Sequence, residues 1–250
     1  MGLEFKRGLL ALAAAVACAA AGAASAQERA RPLPTYEVLR ASSPVKVDGR
    51  LDEAAWAAAR GVGPFVRNRD GAAAPVETEA KVLYDERFLY FSFRVEDENV
   101  WATMRRRDQH LWHEEVVEVF LQADPRVPNY IELEVNPLGT LLDIYLLDRR
   151  RNLPYGSWNS SGVKWAVRVE GKVDGRGGDR GWTCEIALPL EDVATAPHLP
   201  PRPGDRWRMN LYRVESRPEP LGLAWSPTLE GDFHVPPMFG EIIFSGRAVP

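Results

Sequence analysis

From residue 77 to the end, apolar and polar positions alternate mainly at period two, the spacing of a strand whose side chains point in turn to opposite faces. Nine segments carry it: "ETEAKVLYD" (77–85), "RFLYFSFRVED" (87–97), "EEVVEVFLQ" (114–122), "NYIELEVNP" (129–137), "GTLLDIYLLD" (139–148), "GVKWAVRVEG" (162–171), "RGWTCEIALPL" (180–190), "DRWRMNLYRVES" (205–216) and "FGEIIFSG" (239–246). Turn formers separate them at Asp85-Glu86-Arg87, Asn136-Pro137-Leu138-Gly139, Asp174-Gly175 and Pro203-Gly204. Many short strands broken in this way predict an all-β fold, an antiparallel β-sandwich with jelly-roll or immunoglobulin-like layering. One stretch, "LDEAAWAAA" (51–59), predicts a short helix near the N-terminus, with Asp52 capping its first turn and Trp56 buried. The glycine-rich "DGRGGDRG" (174–181) has no helix after it, so it predicts a hairpin tip and not a phosphate-binding loop.

The same alternation sorts faces. Ile131, Leu133 and Val135 share one side of their strand while Glu132, Glu134 and Asn136 take the other, and Val117, Val119 and Leu121 form the apolar side of theirs. Glu118 therefore shares a face with Val116 and Phe120. A carboxylate among apolar neighbours needs a partner, either an arginine on an adjacent strand or a ligand. Cys184, Ile186 and Leu188 fall on a single core-facing side, and Trp165, Trp182 and Trp207 sit within strands as packing residues.

The first 26 residues change the picture of the chain's destination. Lys6 and Arg7, an apolar run from Gly8 to Ala20 and the small-residue sequence Ala24-Ser25-Ala26 predict a secretory signal cleaved after Ala26 and a secreted or periplasmic protein. Lipid attachment at Cys18 is disfavoured, because the position three before it is alanine and not a larger aliphatic. Residues 27–44 are expected to be a flexible, proline-marked tether and 45–246 the β-sandwich domain. Cys184 is then the remaining cysteine, so no internal disulfide is expected and the fold rests on its core. Net charge is −4 for the full chain. With no basic tract, it offers no footprint for nucleic acid or an anionic membrane, and no later run is apolar for the roughly 20 residues a membrane helix needs.

Catalytic signatures are absent from the pattern. There is no Gly-x-Ser-x-Gly elbow, the histidines stand apart at 110, 113, 198 and 234, and there is no Cys-x-x-Cys. Two carboxylates flanking a glycosidic bond would be needed for its hydrolysis, and a chain this rich in acids supplies pairs by chance. The tryptophans outside the strands, Trp101, Trp112 and Trp158, together with Phe233 in "GDFHVPPMFG", are more telling. An aromatic face suits the C–H face of a pyranose, and acidic groups beside it accept hydrogen bonds from hydroxyls.

Seven blocks in order, "VDGRLDEAAW" (47–56), "VLYDERFLYFSFRVED" (82–97), "RDQHLWHEEVVEVFL" (107–121), "NYIELEVNPLG" (129–139), "RGWTCEIALPLED" (180–192), "PGDRWRMNLYRVE" (203–215) and "AWSP…HVPPMFG" (224–240), resemble a family 9 carbohydrate-binding module over about 45–245. The resemblance implies a non-catalytic β-sandwich that holds a small sugar or the end of a glucan or xylan chain between two aromatic side chains. It implies Trp112 as the first aromatic, Glu118 as the acid bonding hydroxyls, and Phe233 as the second aromatic, where sugar-clamping members carry tryptophan. Glu132 and Tyr212 are rim candidates. The arginine those members carry after the tyrosine of the next strand is Ile131 here. The resemblance also implies structural calcium, for which Asp108, Glu114 and Glu115 are candidate ligands, and an exported glycoside hydrolase as a partner that would perform any hydrolysis. An alternative is haem held by Met104 with His110 or His113, which requires ligands on opposed walls of a pocket. One geometric condition applies to the sugar site: along a continuous strand Trp112 and Glu118 would lie about 20 Å apart, so the chain must turn near His113-Glu114.

Overall fold

The computed structural model describes residues 32–250, and the expected signal peptide with Cys18 lies outside the described residues. In chain order the elements are β1 (Thr35–Ala41), α1 (Ala54–Ala58), β2 (Val66–Arg67), β3 (Thr78–Tyr84), β4 (Phe88–Val95), β5 (Val116–Gln122), β6 (Tyr130–Val135), β7 (Leu141–Asp148), β8 (Arg151–Asn152), β9 (Lys164–Val169), β10 (Trp182–Pro189), β11 (Arg206–Glu215), β12 (Leu221–Ala224) and β13 (Gly240–Val249). All nine expected strands form, as β3–β7, β9–β11 and β13.

Hydrogen bonding runs β8-β7-β6-β5-β11-β13-β1-β3-β4-β10-β9, with β12 added on β11 and β2 on β12. The sheet doubles back on itself. Val119, Leu133 and Leu211 from one half and Val82, Phe91 and Ile186 from the other enter one shared core, which makes the architecture a β-sandwich. Cys184 is fully buried there, as its register predicts, and burial pushes its thiol up. "DGRGGDRG" does lie at the tip of the antiparallel β9–β10 hairpin.

Two expectations are corrected. Residues 35–41 are not tether but β1, in the middle of the sheet and paired in parallel with both β13 and β3. Pro32, Pro34 and Pro44 around it suggest loop, whereas its partners stand far downstream and are invisible to a local pattern. The sheet is accordingly antiparallel except at β1. The cap of α1 is Glu53, which makes no side-chain cap bond. That short helix is instead pinned by the buried Trp56, whose indole Nε1 donates to Glu185 Oε1 (2.9 Å), while Glu185 Oε2 accepts the Asp48 and Gly49 amides. Burial raises the Glu185 carboxyl to about 6 against these bonds.

The two outer faces differ. One is covered by α1, with Trp56 packed among Leu83, Tyr90 and Ala187. The other, carried by β5, β6, β7 and β11, presents Phe120, Tyr130, Ile144 and Tyr212 together with Leu111 and Phe239. It is on this second face that a cleft opens. Among the described residues no helix is long and apolar enough to cross a membrane.

Candidate functional site

The chain does turn where the sugar site requires it. A single 3-10 turn, Leu111–His113, precedes β5, and buried Leu111 anchors it. Glu114 then reaches back: its carboxylate accepts the Thr103 amide (2.7 Å), the Met104 amide (3.1 Å) and the Thr103 hydroxyl, tying the preceding loop to the start of the strand. This brings Trp112 back to the face that carries Glu118, and both line a cleft of about 610 Å³.

One wall of the cleft includes Trp112 and Tyr155. The Trp112 indole stacks on His110 (ring centroids 4.5 Å apart, planes 16° apart), and Tyr155, 45% exposed, leans on both. Phe233 lines the cleft as well, with its ring lying flat on Tyr212 (4.3 Å, 9°), whose hydroxyl donates to the Phe233 carbonyl (2.8 Å). Tyr212 is thus fully buried behind Phe233 and is not a rim residue. Gly222 fits against the ring edge: a Cβ there would stand 2.8 Å from Phe233 Cζ. Because Tyr212 fixes the ring's face, Gly222→Ala is expected to push the ring out of place, with the 1–3 kcal/mol cost typical of overpacking divided, as roughly estimated, between stability and ligand affinity. Melting and calorimetry on this variant test it; unchanged sugar affinity would mean that Phe233 is not a contact.

Glu118, Glu132 and Glu134 form the floor. Glu118 stands opposite Glu134 across the β5–β6 ladder, and Glu132 is two positions back on the same face. They are 2%, 3% and 1% exposed, and one ligand oxygen from each lies within 4.8 Å of the others. The expected arginine is not there: among the described residues no lysine or arginine nitrogen comes within 4.0 Å of them, and the nearest basic group is His234, with Nδ1 4.0 Å from Glu132. Glu132 therefore belongs to the floor and not the rim. Burial first, and the neighbouring carboxylates second, push Glu118 and Glu134 well above the usual carboxyl range; burial also raises Glu132, with His234 pulling the other way. His234 is held by the Tyr130 hydroxyl at 2.8 Å. At the rim, Arg149 pairs with Glu230 (2.6 Å) and Asp232 (3.2 Å), Arg151 with Asp148 (2.6 Å), and Arg150 lies 3.9 Å from Asp232.

Tyr155, His234, Glu134 and the rim arginines were not singled out from the sequence. Glu134 had a usable signal, since it alternates with Glu132 on the face opposite Leu133. The others come from loops and strand ends, where periodicity carries none. Of the loop tryptophans only Trp112 reaches the cleft. Trp101 lies under Arg217 (3.7 Å) and Trp158 packs on Tyr145 (5.9 Å).

The candidate calcium ligands do not converge. Glu114 is occupied as described. Asp108 sits in a left-handed backbone conformation (φ 63°) and joins neither carboxylate. Glu115 instead meets Asp97 and Glu215, all three oxygens again within 4.8 Å. Burial, with Glu215 and Asp97 adding to it, pushes Glu115 up to about 9; Glu215 is raised to about 7 despite its pairing with buried Arg213. The haem arrangement fails on geometry, because Met104, His110 and His113 follow one another along a single segment, with both histidines exposed, and do not face each other across a cavity.

The profile of the family described as Carbohydrate-binding family 9 matches residues 69–244. The chain belongs to that family. Its structure is similar to that of a proposed carbohydrate-binding protein from Bacteroides uniformis ATCC 8492, at 21% identity and a TM-score of 0.71, covering 85% of this chain and 100% of that one. It is also similar to a family 9 carbohydrate-binding module from Caldicellulosiruptor kristjanssonii solved with cellotriose (16% identity, TM-score 0.59, 86% and 95% covered) and with glucose (17%, 0.58, 86% and 97%). No curated protein matches the chain. For a member of family 9, a carbohydrate-binding role is the shared property, and the match ends within β13.

Proposed function

We propose that this family 9 chain is an exported, non-catalytic protein that holds a sugar in the cleft between Trp112 and Phe233. The observation that carries the reading is the pairing of a half-exposed aromatic wall with a carboxylate floor on one sheet face. Aromatic rings take the apolar face of a pyranose and carboxylates accept from its hydroxyls, and structural relatives hold cellotriose and glucose. Binding is favoured over hydrolysis because the three acids form one cluster side by side on a floor, whereas a glycosidase needs two carboxyls flanking the bond, about 5–9.5 Å apart. Calorimetric titration with glucose, cellotriose and xylo-oligosaccharides tests the reading. Heats that saturate, with no new reducing ends on prolonged incubation, are expected; no binding of any sugar at tens of millimolar would sink it. Export is checked by the intact mass of the secreted form, expected to begin near Gln27, with lipid on Cys18 as the contrary result.

A calcium ion would find its donor set at Asp97, Glu115 and Glu215, where Asp97 Oδ2 is buried without a hydrogen-bond partner. These supply part of the six to eight oxygens calcium takes. The raised carboxyls set a sign for pH: a folded-state pKa above the unfolded one means that ionising the group costs stability, so stability falls as pH rises from about 4.5 through about 9. Millimolar calcium is expected to raise Tm near pH 8 and much less near pH 5, and Glu115→Gln to raise Tm near pH 8 without added ion while abolishing the calcium effect. A calcium response that survives in Glu115→Gln would place the ion elsewhere.

A further inference from the structure

We propose that the sugar this cleft selects is an amino sugar, its protonated amine seated on Glu118, Glu132 and Glu134 beneath the aromatic wall. The inference rests on the carbohydrate reading of the same cleft and narrows it to a substrate class. A neutral pyranose asks for one or two acceptors, and a single carboxylate provides them. Here three fully buried carboxylates converge, and Glu132 Oε2 and Glu134 Oε2 have no hydrogen-bond partner. An alkylammonium carries three N–H donors radiating from one compact charge, one for each carboxylate.

The chain itself does not answer this demand. Tyr130 is engaged with His234 and Tyr212 with the Phe233 carbonyl, so the hydroxyls packed against the floor from β6 and β11 are in use. The rim arginines stand among Asp148, Glu230 and Asp232, acid for base, which leaves the floor as the unbalanced charge of the cleft. His234 faces Glu132 at 4.0 Å as the one nearby basic side chain among the described residues. A bare divalent ion fits less well, since calcium needs six to eight oxygens and the floor beside the acids is Phe120, Ile144 and Leu146.

In the free protein, burial first and mutual repulsion second favour the protonated forms of Glu118 and Glu134. A bound ammonium reverses the preference, so the carboxyl protons pass to the buffer as the amine docks. Affinity for the amino sugar should then rise with pH through the range in which the carboxyls lose their protons, and fall once the ligand's own amine is neutral. The other titratable and charged groups facing the cleft are Tyr155, Arg149, Arg150, Arg151, Asp232 and His234, the last of them 4.0 Å from Glu132.

The experiment is calorimetry near pH 7 in EDTA with three trisaccharides of similar shape: fully deacetylated chitotriose, N-acetylated chitotriose and cellotriose. The deacetylated trimer is expected to bind at least about tenfold more tightly than either neutral one, with proton release seen as a dependence of the heat on buffer ionisation enthalpy. Glu134→Gln, with its melting curve recorded, is expected to shrink that ratio; the wild-type proton release decides the matter if the variant does not fold. Equal or tighter binding of cellotriose overturns the amino-sugar inference and leaves the sugar cleft standing. Failure of all three to bind removes both. Neutral-sugar binding that appears only when calcium replaces EDTA, and that persists in Glu115→Gln, assigns the floor to a metal and likewise overturns the proposal.

Discussion

Trp112→Ala is expected to bind sugar about tenfold to a hundredfold more weakly while melting close to the wild type. The indole is half-exposed at the turn before β5, stacked on His110 and lining the cleft, so its removal opens no large hole in the sandwich core. Covering the apolar face of a pyranose with an indole is worth roughly 1.5–3 kcal/mol by area, and each 1.4 kcal/mol or so is a factor of ten in affinity. Phe233→Ala should follow with a smaller loss, the benzene ring presenting less area. Melting and calorimetry on the same samples separate this from a packing role, in which Tm falls and the surviving folded protein binds as before. Unchanged affinity in Trp112→Ala would remove the stacking wall from the account.

Arg213→Met should have the largest effect on stability, through a side chain on the side of β11 opposite Tyr212 and Val214. Arg213 is buried on β11, where Nε donates to Glu215 (2.6 Å), Nη1 to the Glu77 carbonyl (3.1 Å) and Thr78 Oγ1 (3.2 Å), and Nη2 to the Glu96 carbonyl (2.8 Å). It joins β11 to the start of β3 and the end of β4, across the core. It is also the cation paired with Glu215, one of the three acids of the Asp97, Glu115 and Glu215 cluster. Taking away one partner of a buried pair costs about 3–5 kcal/mol, because the other charge is left without compensation. For a domain of this size that is a fall in Tm on the order of 10 °C. Adding Glu215→Gln to Arg213→Met should recover part of the loss, since a neutral side chain no longer needs the guanidinium. A single variant that melts within a degree or two of the wild type would show that the pair contributes little.

These two predictions differ in how far the sequence reaches them. Trp112 stood out from its loop position and its family block, and Glu118 from an alternation that puts a carboxylate beside Val116 and Phe120. Arg213 looks like an ordinary polar position of an alternating strand, and nothing local marks it as buried. Its burial follows from the doubled-back sheet that lays the end of β4 across β11.

By itself the sequence determined the strands of the sandwich, the buried sides of β5, β6 and β10, the β9–β10 hairpin tip and the aromatic and acid that meet in the cleft. Each of these rests on period-two alternation, on turn chemistry or on a block of neighbouring residues, and so is written within a few positions of where it acts. Tertiary structure alone decided that Thr35–Ala41 is a central strand, that Tyr212 stands behind Phe233, that Glu115 turns to Asp97 and Glu215, and that Glu118 has two carboxylates and no arginine beside it. Strand pairing joins segments up to about two hundred residues apart, and which side chains become neighbours across such a ladder is set by register and by the fold of the whole sheet. No local pattern holds that information.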